Sequence, residues 1–326
     1  MRPNWRLMVG GIAVASVIQF FAMIFMPESP RWLGKEGRLE EQKKVVEQIY
    51  KPEHIHRVNK SLKKEVKALK ESTRLGERHR MNVLCSVYSR CLFIGCSILA
   101  FQQLIGINTA MYYGPLIAQK AGIEIDGLDK DESAMIITIL FGMSNFLGTL
   151  VCVFLIESKG RRAILLRTLP VMAVCWFVAA IGMVCTGEDN DELTQKTGGL
   201  VAVIAVGLFL FFFQIGISAT AWTINTEIYP LHVIGTANSL AATTCWVTNG
   251  LVSELFKIVT EINLQALVTM YFVLGSFALV ALVFTYYMIP ETAGKSIQNI
   301  LKEILGDDYK SKERALTLKK EQANLD

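Results

Sequence analysis

Residues 100–117 read AFQQLIGINTAMYYGPLI. They lie in an apolar run long enough to cross a bilayer, yet they include Gln102, Gln103, Asn108, Tyr112 and Tyr113, whose amides and phenols must find partners away from lipid. At about 100° per residue, Gln103 and Asn108 cannot share one stripe with Gln102 and Tyr112 on an unbroken helix. Gly106 and Pro115 are the residues that permit a break. The spacing therefore predicts an interrupted helix that faces a wet cavity, the arrangement in which broken helices line binding sites. Amides that only join neighbouring helices would explain a single glutamine. They explain less well five polar groups beside two breakers.

Outward from this stretch the chain keeps the same character. Of its 326 residues, 52% are hydrophobic and only 19% charged, and its mean hydropathy is +0.38, outside the range of ordinary soluble domains. An all-α, multi-pass membrane protein is expected, in the plasma membrane or an internal one. Apolar runs at residues 7–26, 91–118, 134–156, 163–185, 199–224, 235–260 and 266–289 predict about seven spans. The first is too long for the core of a signal peptide. The net charge of +4 sits in the loops, so neither a nucleic-acid partner nor an acidic substrate is implied. The seven cysteines are dispersed without CxxC spacing, and His54 and His56 have no third ligand nearby, so neither a metal nor a cofactor is expected. No Walker, GxSxG or metal-ligand motif points to an enzyme.

Composition divides the chain into four parts. Residues 1–33 form a transmembrane helix that Pro30 stops within PESPRWL (residues 27–33), where Arg31 and Trp32 suit an interface. Residues 34–82 form a charged cytosolic linker, split by Pro52. Its apolar residues Val45, Val46 and Ile49, then Leu62, Val66 and Leu69, recur at helical spacing. Residues 83–290 form a six-helix bundle, and residues 291–326 a cytosolic tail. Segments 119–133 and 186–198 are acid-rich, whereas 31–80, 157–167 and the tail are rich in Lys and Arg, which places the basic segments in the cytoplasm.

PESPRWL, QQLIGINTAMYY (102–113), ESKGRR (157–162), EIYP (227–230) and PETAGKS (290–296) occur in that order at the ends of predicted spans. Together they resemble the sugar porter family of the major facilitator superfamily, over essentially the whole chain. The resemblance implies the C-terminal part of a twelve-helix fold that transports by alternating access. PESPRWL then closes the sixth helix, and the first five have no counterpart, so an incomplete transporter is expected. QFFAMIFMPESPRWL, GINTAMYY and WTINTEIYP look most like the myo-inositol transporter branch. A facilitative or proton-coupled glucose carrier is the alternative. From other classes, a seven-helix receptor or a regulatory half-transporter also fits the span count and the missing half.

A neutral polyol or sugar presents hydroxyls that donate and accept, which calls for amides, phenols and indoles rather than charges. By resemblance Gln102, Gln103, Asn108, Asn145, Trp222 and Trp246 bind substrate, and Tyr112 and Tyr113 close over it from outside. For Asn145 the competing role is helix packing, because Ser144 and Gly148 flank it as small residues. For both Trp residues it is interfacial anchoring. Residues 216–222, GISATAW, lack the prolines usual in the family at this place, so a weaker local break is expected, and Cys245 stands where many members have Asn. Glu157, Arg161, Arg162 and Glu227 form the cytoplasmic gate by resemblance, and topology-setting charge is their simpler role. Membrane lipid is the remaining partner. Coupling to protons would rest on the first half of the fold.

Overall fold

The computed structural model describes residues 5–75, 77–120, 122, 127–187 and 189–323. The chain divides into two compact units, residues 1–77 and 78–326. In the first, α1 (Trp5–Ile24) has no polar face, and its side chains from Ile12 to Met26 are exposed, as suits contact with lipid. α2 (Pro30–Glu36), α3 (Leu39–Ile49) and α4 (Pro52–Leu75) pack on one another, burying Leu33, Val46 and Leu62. Gln42 donates to the Pro30 carbonyl at 2.8 Å and Arg31 pairs with Glu65 at 2.7 Å, which fastens α2 to both partners. The expectation that Pro30 stops the first helix is not met. α1 ends at Ile24, and Pro30 instead opens α2 behind Ser29, where the missing N–H has no intrahelical acceptor to lose.

In the second unit α5 (Glu77–Ser86) leads to α6 (Ser89–Leu104), α7 (Ile107–Tyr112) and α8 (Gly114–Lys120), three pieces of the stretch expected to be broken. A capping box of Asp129 and Glu132 starts α9 (Lys130–Lys159), and Gly160 turns the chain into α10 (Arg161–Cys185). Asp191 caps α11 (Glu192–Phe213), which passes through a π-helical turn (Gln214–Ser218) into α12 (Ala219–Glu227). Pro230 precedes α13 (Leu231–Ile262), Asn263 caps α14 (Leu264–Met288), Ser296 caps α15 (Ile297–Leu305), and α16 (Tyr309–Ala323) follows.

Among the described residues five stretches are long and apolar enough to cross a membrane: Ser89–Tyr112, Lys130–Lys159, Arg161–Cys185, Glu192–Glu227 and Leu264–Met288. About seven were expected. The other two expected spans are also helices: α1 (Trp5–Ile24) is 20 residues long and apolar, and α13 is diluted by residues such as Asn238, Thr243, Thr244, Asn249 and Ser253.

α10 is the centre of the bundle, packed along α11 and α14. Its Trp176 is fully buried, with ring centroids 4.5 Å from Phe209 and 5.0 Å from Tyr271. α9 lies on α11, where Ser144 donates to the Gly207 carbonyl at 2.6 Å and Gly148 presses against the Phe211 carbonyl with no room for a Cβ. Beyond the spans, Glu313 of α16 accepts the Tyr88 hydroxyl at 2.8 Å and lies 2.7 Å from His232 Nε2. Burial acts to raise the Glu313 carboxyl, but the hydrogen bond and charge of His232, then Tyr88 and His79, prevail and hold it below its ordinary value. Burial and the Glu313 charge push the Tyr88 phenol far up.

Candidate functional site

The predicted interruption falls at Gly106, whose φ of 92° lies in the left-handed region that glycine enters without strain. A break frees carbonyls that need donors. The indole of Trp176 supplies one, donating to the Ile105 carbonyl at 2.8 Å. The turn brings Gln103 and Asn108 together, with Asn108 Nδ2 donating to Gln103 Oε1 at 2.7 Å. A second change of direction at Tyr113 separates α7 from α8, with Pro115 in the first turn of α8.

A second break faces the first. Within the π-helical turn Gly216 leaves helical geometry, with φ −88° and ψ −106°. The break forms without the prolines, and side chains take up its freed carbonyls. Thr220 donates to Gly216 O at 2.6 Å, and Gln102 Nε2 donates to Ile217 O at 3.3 Å and Ser218 O at 2.9 Å. Gln102 is buried and its oxygen accepts from Gln103 Nε2 at 3.4 Å and from the Cys245 thiol at 3.8 Å. All four of its hydrogen-bonding sites are then occupied by protein.

Gln103 Nε2 also reaches Cys245 Sγ at 3.1 Å. Asn108 extends the cluster to α13 by donating to Asn249 Oδ1 at 2.8 Å, which accepts Ser253 Oγ as well at 3.2 Å. The amide oxygen of Asn108 and the amide nitrogen of Asn249 have no hydrogen bond among the described residues, so the cluster keeps one acceptor and one donor open. Asn249 and Ser253 were not among the residues read from the sequence. The signal was present: Cys245, Asn249 and Ser253 recur every four residues and share one face of α13.

Asn145 bonds separately, its oxygen accepting Gln214 Nε2 at 2.8 Å across to the π-helical turn. Ser144 and Gly148 do the packing expected of small residues, which leaves Asn145 on a neighbouring line with a polar partner of its own. Trp222 and Trp246 are 40% and 65% exposed. Trp246 sits halfway along α13, about 22 Å from either end at 1.5 Å per residue, which is far from where an interfacial anchor belongs. The two tyrosines part company. Tyr113 donates to Ser253 O at 3.2 Å and packs its ring against Phe256 at a tilt, centroids 4.9 Å apart, while Tyr112 is 59% exposed. Asn225, by contrast, is fully buried and donates to Asn238 at 2.9 Å.

At one end of the bundle Arg161 is almost fully buried and pairs with Glu157 at 2.9 Å and Glu227 at 3.0 Å, which links the ends of α9 and α12. Arg162 does not join them. It donates to Tyr286 O at 2.8 Å and covers the Tyr286 ring. Glu291 of PETAGKS completes the group by accepting the N–H of Arg161 at 2.9 Å and of Ala163 at 3.3 Å, an acid on the N-terminus of α10. Nothing in the sequence of PETAGKS by itself assigns Glu291 this role.

Apolar helices broken around an uncharged amide cluster, with paired charges at one end, are an arrangement that recurs in secondary-transporter folds. The Sugar (and other) transporter family model matches residues 2–303, and the chain belongs to that family. It is 29% identical to the proton myo-inositol cotransporter of Homo sapiens, over 92% of this chain and 57% of that protein. It is equally, 29%, identical to the glucose transporter GlcP of Staphylococcus epidermidis, over 92% and 63%. The fold is part of that of the major facilitator superfamily. A solved structure of the proton:xylose symporter XylE bound to 6-bromo-6-deoxy-D-glucose superposes with a TM-score of 0.66 at 22% identity, covering 92% of this chain and 59% of that one. The chain thus spans 57% and 63% of the two curated relatives' lengths. It is a multi-pass membrane protein of a transporter family, not an enzyme.

Proposed function

We propose that the protein takes part in carrying a neutral polyol across the membrane by alternating access, with myo-inositol as the substrate. The observation that carries this reading is the amide cluster of Gln103, Asn108 and Asn249, which contains no charged side chain and leaves an acceptor and a donor open. A hydroxyl needs one of each, whereas a carboxylate or ammonium substrate needs a counter-charge. In this reading Gln103, Asn108, Asn249 and Asn145 bond hydroxyls, and Trp222 and Trp246 offer ring faces to the C–H side of the substrate. Gln102 holds the second break and reaches substrate only on releasing Ile217 and Ser218. Tyr113 and Tyr112 close the outer side. The charges of Glu157, Arg161 and Glu227 pair in one transport state and separate in the other.

GINTAMYY, WTINTEIYP and the likeness to the human cotransporter support myo-inositol. A hexose is the second reading, supported by the equal identity to the glucose carrier. Coupling to protons requires a titratable group, and the amide cluster supplies none, so a coupled mechanism would draw on groups elsewhere. Equilibrium binding of radiolabelled myo-inositol and glucose to the purified chain tests the proposal. Saturable myo-inositol binding that glucose displaces poorly is expected. Preference for glucose selects the second reading, and saturable binding of neither ligand overturns both.

A further inference from the structure

Where α6 and α10 begin and α14 ends, a cavity of about 370 Å³ opens beside α15. Three separate segments bring cations to it: Arg90 from α6, Arg162 from α10 and Lys295 from the loop before α15. Arg90 commits one N–H to Ile304 O at 3.0 Å and Arg162 one to Tyr286 O at 2.8 Å, out of five donors on each guanidinium. The buried Nε of Arg162 has no hydrogen-bond partner among the described residues. The two acids lining the cavity are already engaged, Glu291 by backbone N–H groups of α10 and Glu303 by Lys295 at 2.6 Å. Arg90, Arg162 and Lys295 against Glu291 and Glu303 leave the lining with a net positive charge, and both guanidinium groups keep donors to spare.

The surroundings say what kind of anion fits. Tyr286 and Tyr287 stand 59% and 75% exposed on the last turn of an apolar span, where a phenol sits at headgroup level. Val280 and Val283, both more than half exposed, continue the Tyr287 face down α14 at helical spacing and present a track for an acyl chain. We propose that this cavity binds the phosphate headgroup of an anionic membrane lipid, with Arg90, Arg162 and Lys295 around the phosphate and the acyl chain along α14. None of these residues belongs to the amide cluster, so the site stands or falls independently of the transported substrate.

The test titrates the purified full chain in neutral detergent with dioctanoyl phosphatidylglycerol, dioctanoyl phosphatidylcholine or inorganic phosphate, reading the thermal unfolding midpoint. The phosphatidylglycerol should raise the midpoint saturably and bind at least about fivefold more tightly than the phosphatidylcholine, as expected for each basic residue near an anionic surface. Inorganic phosphate should have no effect at matching concentrations. Arg90→Gln and Lys295→Gln should each weaken phosphatidylglycerol binding about fivefold and leave phosphatidylcholine unchanged. Glu303→Gln releases Lys295 and should tighten it about two- to fivefold, a change that a merely structural pair would not give. Equal binding of the two lipids by the parent overturns the proposal, as does unchanged phosphatidylglycerol binding in both Lys295→Gln and Glu303→Gln. Inorganic phosphate that matches the lipid marks a free-anion site and also overturns it.

Discussion

Replacing Gly106 with alanine attacks the feature that brings the polar cluster together. The residue sits at φ 92°, and an alanine forced into the left-handed region loses about 1–2 kcal/mol. Its Cβ would also stand 2.7 Å from Leu274 Cδ1 and 3.0 Å from Cδ2, and Leu274 is itself buried with little room to turn. Overpacking of that kind costs about 1–3 kcal/mol. Together the two terms predict a loss of about 2–5 kcal/mol, which for a unit of this size lowers the thermal midpoint by on the order of 10 °C. Gly142→Ala is the matched control: it lies inside α9 with nothing within 4 Å of the added carbon, and should be neutral or stabilising by up to about 1 kcal/mol. Thermal unfolding of the purified variants in detergent distinguishes them. If Gly106→Ala melts at the same temperature as Gly142→Ala, the left-handed break is not a feature of the folded protein in solution.

Two further outcomes follow from the same geometry. Trp176→Phe removes both the N–H from the buried Ile105 carbonyl and half of a fully buried ring, and should destabilise the chain by at least about 1–3 kcal/mol in a denaturant titration, whereas an unchanged midpoint would contradict the packing and the bond described here. Glu313 is held below its ordinary value in the folded chain, so its contribution to docking α16 is complete above the unfolded carboxyl's range and is lost as pH falls through the lower folded value. Hydrogen-exchange protection of α16, relative to the intrinsic rate at each pH, should therefore hold from neutral pH down into the ordinary carboxylate range and fall below it. Glu313→Gln should abolish that dependence, and loosening of α16 near neutral pH would contradict the account.

The break at Gly106 was legible because it resolves a local conflict: two amide stripes cannot share one straight helix, and glycine stands between them. The long helices were legible for a similar reason, since an apolar run of span length has few alternatives. What escaped was set by partners distant in sequence. Arg161 and Arg162 are adjacent and identical, but neighbouring residues on a helix point about 100° apart, so one joins Glu157 and Glu227 and the other turns to Tyr286. Tyr112 and Tyr113 separate likewise, at the junction of α7 and α8. Glu291 acts 130 residues from Arg161, and no spacing rule announces a cap of that kind. Pro30 was read as a stop when it is a start, because proline is compatible with both the residue after one helix and the first turn of the next. The second break needed no proline because Gln102 and Thr220 satisfy the carbonyls it frees.

The central claim is that Gln103, Asn108 and Asn249 bond the hydroxyls of a neutral polyol. It is tested most directly by measuring myo-inositol affinity in Asn108→Ala and Asn249→Ala, normalised to correctly folded protein. Loss of an amide that pairs a ligand hydroxyl costs about 1–3 kcal/mol, so each variant should bind roughly 5- to 150-fold more weakly. If the amides only join α7 to α13, folded yield falls while the affinity of the surviving protein stays at the parent value, and that result would contradict the account.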